Sequence, residues 1–273
     1  MFKDTSKTRS RGPSASATLY LLAFNVVSAA GWAYVLFLTL DALATKNTAH
    51  PLFTRLASYF PSKLPWTTNL YATNQLSTYL SSLLSLYVPS TYSAAWPALA
   101  PVQSLAVLEV LHVLLGLVRS PLPTTFIQVS SRLILVWAVV ARFPLTHPNP
   151  FFTTMVLAWS LTEVPRYTYY ALGLAGTQAP TWLTWLRYTT FYVLYPLGAG
   201  SEAILALSTI PEWQHGRYLS WRPEDWIKAA LVLIWIPGLW VMYTHMIRMR
   251  RKVLGVGKGQ KLGARPNDRT KAE

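Results

Sequence analysis

The chain has 273 residues, 52% of them hydrophobic and only 12% charged, with 24 Lys and Arg against 10 Asp and Glu. A water-soluble domain carries about twice that share of charge, and the apolar residues stand in long blocks, not in short alternating segments. Composition and pattern therefore predict an all-α, polytopic membrane bundle and exclude a barrel. Cysteine is absent, which excludes disulfides, thiolate zinc sites and a cysteine nucleophile.

The net charge of +14 gathers at the ends. Lys3, Lys7, Arg9 and Arg11 precede the first apolar block, and nine bases from Arg248 to Lys271 follow the last. Basic tails of this kind orient spans and attract anionic lipid. The interior holds no basic helix or zinc framework, so nucleic acid is not an expected partner.

Residues 1–17 read as a disordered basic tail rich in Ser and Thr. The first apolar block, Thr18 to Leu40, is too long for a removable signal peptide and lacks a small-residue cleavage site. Residues 41–95 form a long insert with four prolines, inside which Leu76 to Val88 reads as an interfacial or loop helix. Five more blocks follow: Pro97 to Val118, Thr125 to Phe143, Phe151 to Leu174, Trp182 to Leu207 and Trp226 to Ile247. Pro, Asn and Gly mark the short turns between them. Residues 18–247 thus form a domain of six expected transmembrane helices, and 248–273 a second basic tail. Two basic ends on one side require an even number of crossings, so both termini are expected in the cytosol.

Glu109, Glu163 and Glu202 fall inside spans, where a carboxylate costs at least ~2.5 kcal/mol on insertion scales. Each needs a partner, a proton or a task. Glu109 and His112 share a helix face, and an interhelical bond to a neighbouring Arg is their expected fate. Metal binding would need further carboxylates and a second such pair. Glu163 and Arg166 have the same spacing and read as an ion pair, either structural or supporting a site. Tyr195 and Glu202 stand seven residues apart, on nearly one helix face and about 10 Å apart along the axis. Pro196 cannot donate to the Tyr192 carbonyl, while Gly198 and Gly200 admit close approach. Phenol and acid together predict a chemical site. With both termini cytosolic, Arg119, Arg132, Arg166 and Arg187 fall on the cytosolic side of the bundle, where guanidinium forks suit phosphates.

Several segments occur in the order found in a known family. They are Leu108 to His112, Gly116 to Pro121, Gln128 to Arg132, Trp159 to Glu163, Arg166-Tyr167, Leu186 to Tyr188, and Tyr195 to Glu202. The chain resembles the membrane 3-hydroxyacyl-CoA dehydratases of very-long-chain fatty acid elongation, also called PTPLA-like. The resemblance covers residues 18–40 and 97–252. Pro165 departs from the branched aliphatic residue usual there, which predicts a kink near Arg166, and the 41–95 insert is longer than in short members.

The resemblance implies six spans in the endoplasmic reticulum membrane and a catalytic pair, Tyr195 and Glu202. It implies loss of water from a (3R)-3-hydroxyacyl-CoA to give the trans-2-enoyl-CoA, with no cofactor or metal. Glu202 would act as acid and base at the reacting carbons, with Tyr195 on the hydroxyl, although sequence leaves the two roles interchangeable. The arginines and Glu163 would hold or support the CoA end, and the acyl tail would lie between apolar spans. Implied partners are an elongase condensing enzyme, a ketoacyl-CoA reductase and an enoyl-CoA reductase. The competing class is a non-catalytic scaffold or lipid-binding bundle, from which loss of Tyr195 or Glu202 would be expected. Transport would call for paired broken helices in internal repeats, and none is visible.

Overall fold

The computed structural model describes residues 14–48, 73–85, 88–210 and 221–255. Of the tails expected at 1–17 and 248–273, residues 1–13 and 256–273 lie outside the described residues, as does much of the insert, whereas 15–17 open the first helix and 248–253 extend the last. Helix α1 (Ala15–Thr48) is followed by α2 (Thr73–Ser85), α3 (Tyr92–Ser104) and α4 (Val107–Leu114). Next come α5 (Leu122–Leu133), running into π-helical turns at Ile134–Val140, and the 3-10 turn Pro144–Thr146. The set ends with α6 (Pro150–Leu174), α7 (Thr181–Thr189), α8 (Phe191–Ser208) and α9 (Pro223–Val253).

Helix α6 is the hub: α1 packs along it most extensively, α8 lies against it as well, α3 flanks α1, and α9 rests on α8. On α1, Leu21, Asn25, Ser28, Trp32, Val35 and Thr39 are buried at steps of three and four, one inward stripe. Asn25 and Thr39 bond back to carbonyls of their own helix, Leu21 and Val35, at 2.7 and 2.8 Å. The opposite face shows Leu19, Val26, Val27, Tyr34 and Phe37. An apolar outer face with polar groups turned inward suits lipid as the solvent.

Among the described residues, five helical segments are long and apolar enough to cross a membrane: Ala15–Thr45, Tyr92–Leu114, Leu122–Val140, Phe191–Ser208 and Pro223–Val253. Helix α6, the fourth expected span, is not among them. At 25 residues it is long enough, but Glu163, Arg166 and its hydroxyl residues lower its apolar character. The polar groups that it turns toward its neighbours lower its mean hydropathy, so five of the six expected spans are found among the described residues.

Several predicted blocks have internal structure. The block at 97–118 is two helices with a joint at Leu105 and Ala106, where the amides of Ala106, Leu108 and Glu109 each bond three residues back. Such 3-10 tightening shifts the α4 face relative to α3. The block at 182–207 is likewise α7 and α8, meeting at Thr190. The loop helix expected at 76–88 is α2, which contacts α8 and α6. Helix α6 is continuous through Pro165.

Ends are set by local chemistry. The Asn149 side chain caps α6 by accepting from the Phe151 amide at 3.0 Å, with Pro150 at the first helical position. Helices α4 and α6 both close in Schellman motifs. Leu117 and Thr177 donate five residues back, to His112 and Leu172, and Gly116 and Gly176 take φ of +69° and +74°. Pro196 frees the Tyr192 carbonyl, and the Tyr243 hydroxyl of α9 donates to it at 3.4 Å.

A β-carbon at Gly31 on α1 would fall 2.9 Å from Cγ2 of Val102 on α3. Gly31→Leu is therefore expected to destabilise the detergent-purified protein by about 2 kcal/mol. Thermal unfolding should show partial recovery when Val102→Ala is added, and no recovery would mean that α1 and α3 do not meet there.

Candidate active site

Buried charge sets the geometry. Glu163 is 2% exposed and faces two cations: Arg132 of α5, whose Nη1 donates to Oε1, and Arg166, whose Nε lies 2.6 Å from Oε2. Arg166 also donates through Nη2 to Glu109 of α4, which accepts a second bond from the Tyr167 hydroxyl. The series Glu109, Arg166, Glu163, Arg132 thus alternates in sign and joins α4, α6 and α5. The expected Arg partner of Glu109 is Arg166, whereas His112 bonds the Tyr20 hydroxyl of α1 at 3.0 Å and meets Phe24 edge-on.

Helices α6 and α8 run antiparallel. Their contacts step in opposite directions: Thr154 bonds Ser201 at 2.7 Å, and Ala158 lies against Gly198. Gly198 is buried, and a β-carbon there would stand 3.5 Å from Ala158 and 3.9 Å from the Trp159 ring. This close passage lets the Trp159 indole N–H reach Oε1 of Glu202 at 2.8 Å. Arg132 lies with its guanidinium 5.0 Å from the Trp159 ring centroid, and its charge acts on Glu202. Tyr195 packs edge-on against Phe191.

Glu202 thus shares the Trp159 ring with Arg132 of the charged cluster, and Tyr195, at the other end of the eight-residue run, is partly buried as Glu202 is. Arg187 of α7 donates to the Tyr170 hydroxyl at 2.7 Å and lies over the Tyr169 and Tyr170 rings at 4.9 and 4.4 Å. Arg119 is exposed in the bend between α4 and α5. An open apolar groove of about 490 Å³ is walled by Leu36, Leu161, Val164, Pro165, Leu186 and Leu194, and neither Tyr195, Glu202 nor a charged side chain lines it. No three His, Asp or Glu side chains gather as metal ligands among the described residues.

Sequence reasoning assigned no role to Trp159. The available signal was its position four residues before a buried acid, hence on the same helix face. Nor could it find the Arg132–Glu163 pair, which spans two helices.

A family model described as "Protein tyrosine phosphatase-like protein, PTPLA" matches residues 103–256. The chain belongs to this family. A probable very-long-chain (3R)-3-hydroxyacyl-CoA dehydratase of Schizosaccharomyces pombe is 46% identical over 153 residues, 56% of this chain and 71% of the relative. The very-long-chain (3R)-3-hydroxyacyl-CoA dehydratase hpo-8 of Caenorhabditis elegans is 32% identical over 260 residues, covering 90% and 99% of the two chains. The human very-long-chain (3R)-3-hydroxyacyl-CoA dehydratase 2 is 31% identical over 247 residues, 87% and 82%. No solved structure matches. This PTPLA member has no cysteine, so the thiolate chemistry of tyrosine phosphatases is not open to it.

Glu163 neutralises two cations at once, so its removal leaves both unpaired in an apolar bundle. Glu163→Ala is expected to cost about 3 kcal/mol, read as a lowered unfolding temperature in detergent. Unchanged stability would show that the ion series does not hold the helices.

Proposed function

We propose that this chain dehydrates long- and very-long-chain (3R)-3-hydroxyacyl-CoA to the trans-2-enoyl-CoA, the third step of an elongation cycle. The observation that carries the reading is Glu202, a carboxylate oriented by one indole N–H, on the same helix face as Tyr195. Family membership and the dehydratase relatives support the substrate class.

The reaction removes a proton from C2 and expels hydroxide from C3. Glu202 takes the C2 proton through its second oxygen. The C–H electrons become the C2=C3 bond, the C3–O bond breaks, and Tyr195 donates a proton so that water departs. Proton transfer from Glu202 back to the tyrosinate restores both groups. Negative charge growing on the thioester oxygen is met by the nearby cations. The apolar groove accommodates the acyl tail, and Arg132, Arg166, Arg187 and Arg119 serve the CoA phosphates, with Glu163 holding the first two in place.

The chain crosses the endoplasmic reticulum membrane six times, α6 included, with both termini cytosolic. Its partners are the condensing enzyme, the ketoacyl-CoA reductase and the enoyl-CoA reductase of the cycle. Because cysteine is absent, single cysteines at Ser10 and Gly263 can report topology. Both are expected to react with an impermeant thiol reagent outside sealed microsomes, and reaction of only one would rule out an even number of crossings.

Purified protein is expected to convert a long-chain 3-hydroxyacyl-CoA to the enoyl product. Glu202→Gln and Tyr195→Phe should each lower kcat by about 100-fold or more. Near-normal turnover by either variant removes that residue from the chemistry.

A further inference from the structure

We infer that Trp159 is a positioning residue that holds the Glu202 carboxylate away from Arg132 and aims its free oxygen at the substrate. The inference rests on the dehydratase reading of the same site.

Three observations converge on this ring. Trp159 is 2% exposed and meets Trp32 of α1 edge-on, with centroids 6.3 Å apart. Its face carries the Arg132 guanidinium at 5.0 Å. Its Nε1 stands 2.8 Å from Oε1 of Glu202. An indole N–H only donates, and it cannot turn without the ring. A ring gripped on its edge and its face therefore fixes one carboxylate oxygen in space. The other oxygen is left for proton transfer.

The competing partner of Glu202 is Arg132, whose charge acts on it directly. Arg132 instead forms its ion pair with Glu163. A bidentate pair with Arg132 would engage both Glu202 oxygens and withdraw the base from C2. Thr154 and Ser201 hold the register of the two helices, and Gly198 keeps the α8 backbone beside the indole, so the N–H reaches Glu202 first. Losing that donor lets the carboxylate swing toward the guanidinium. The Phe and benzothienyl rings of the test variants keep an aromatic face for Arg132, so the CoA end is expected to bind as before.

The test compares kcat and KM of the detergent-purified full chain on a long-chain 3-hydroxyacyl-CoA. Trp159→Phe removes the donor along with part of the ring. A second variant carries 3-benzothienyl-alanine at position 159, which keeps the bicyclic shape but replaces N–H by sulfur. Both are expected to lower kcat by about 10- to 100-fold, the loss of one hydrogen bond to a charged group, with KM within about 2-fold of the parent. Should Trp159→Phe fail to fold, the sulfur analogue decides. Parental kcat in the analogue, or a raised KM at unchanged kcat, overturns the positioning role while Glu202→Gln stays inactive and the dehydratase reading stands. Parental turnover by Glu202→Gln sinks that reading, and this inference with it.

Discussion

The alternating series Glu109, Arg166, Glu163, Arg132 is the constraint on which the arrangement of α4, α5 and α6 depends. Each charge would be costly alone among apolar helices. Taken together, two acids and two guanidinium groups cancel, and every link is a close ion pair. Desolvation makes such a series unforgiving, because removing one member strands another. The same property makes it a good ruler. Arg132 can meet Glu163 only if α5 approaches α6 at one height and one rotation, and that placement puts Arg132 over Trp159 and near Glu202.

Elsewhere in the bundle many polar groups are satisfied locally, while Ser28, Gln103 and Ser160 each bury a side-chain oxygen without a partner among the described residues. Buried hydroxyl and amide side chains return bonds to their own helix, as at Asn25, Thr39 and Thr162. Others link segments: Thr153 donates to the Pro89 carbonyl at 2.8 Å and accepts from the Thr91 amide at 2.9 Å, fixing the entry to α3 against α6. Where a proline removes a donor, as at Pro196, a tyrosine from the next helix supplies one. These bonds leave the middle of the outer surfaces of α1 and α9 free to be apolar, with Val26, Val27 and Phe37 exposed on one and Leu233, Trp240 and Val241 on the other.

Much of this was legible in the sequence because lipid demands long apolar runs and punctuates them with turn residues. Block positions, the Glu163–Arg166 pair and the freed carbonyl at Tyr192 follow from spacing along one helix, and an Arg partner for Glu109 follows from the cost of a bare carboxylate inside a span. What escaped depends on neighbours. The joint at Leu105, the division at Thr190 and the salt bridge from Arg132 to Glu163 arise from packing between helices. Trp159 was hidden differently: a tryptophan in an apolar helix reads as core, and it is core, yet its one polar atom faces an acid. Helix α6 shows the converse. It is the most central helix, and its inward polarity makes it look the least like a span.

The π-helical turns after Leu133 bear on the reach of Arg132. There the Ala141 amide bonds five residues back, to Val136 at 2.9 Å, so the helix holds an extra residue in its circuit. Leu135, Val136, Val139 and Val140 still face the core, and Arg132 still faces Glu163. A lineage that tightened this widened coil into ordinary α-helix while keeping every residue would rotate one half against the other by about 100°. Either the guanidinium or the valines would then point outward. The surplus residue is thus a phase correction, and the length of this span is locked to the aim of a side chain two turns away.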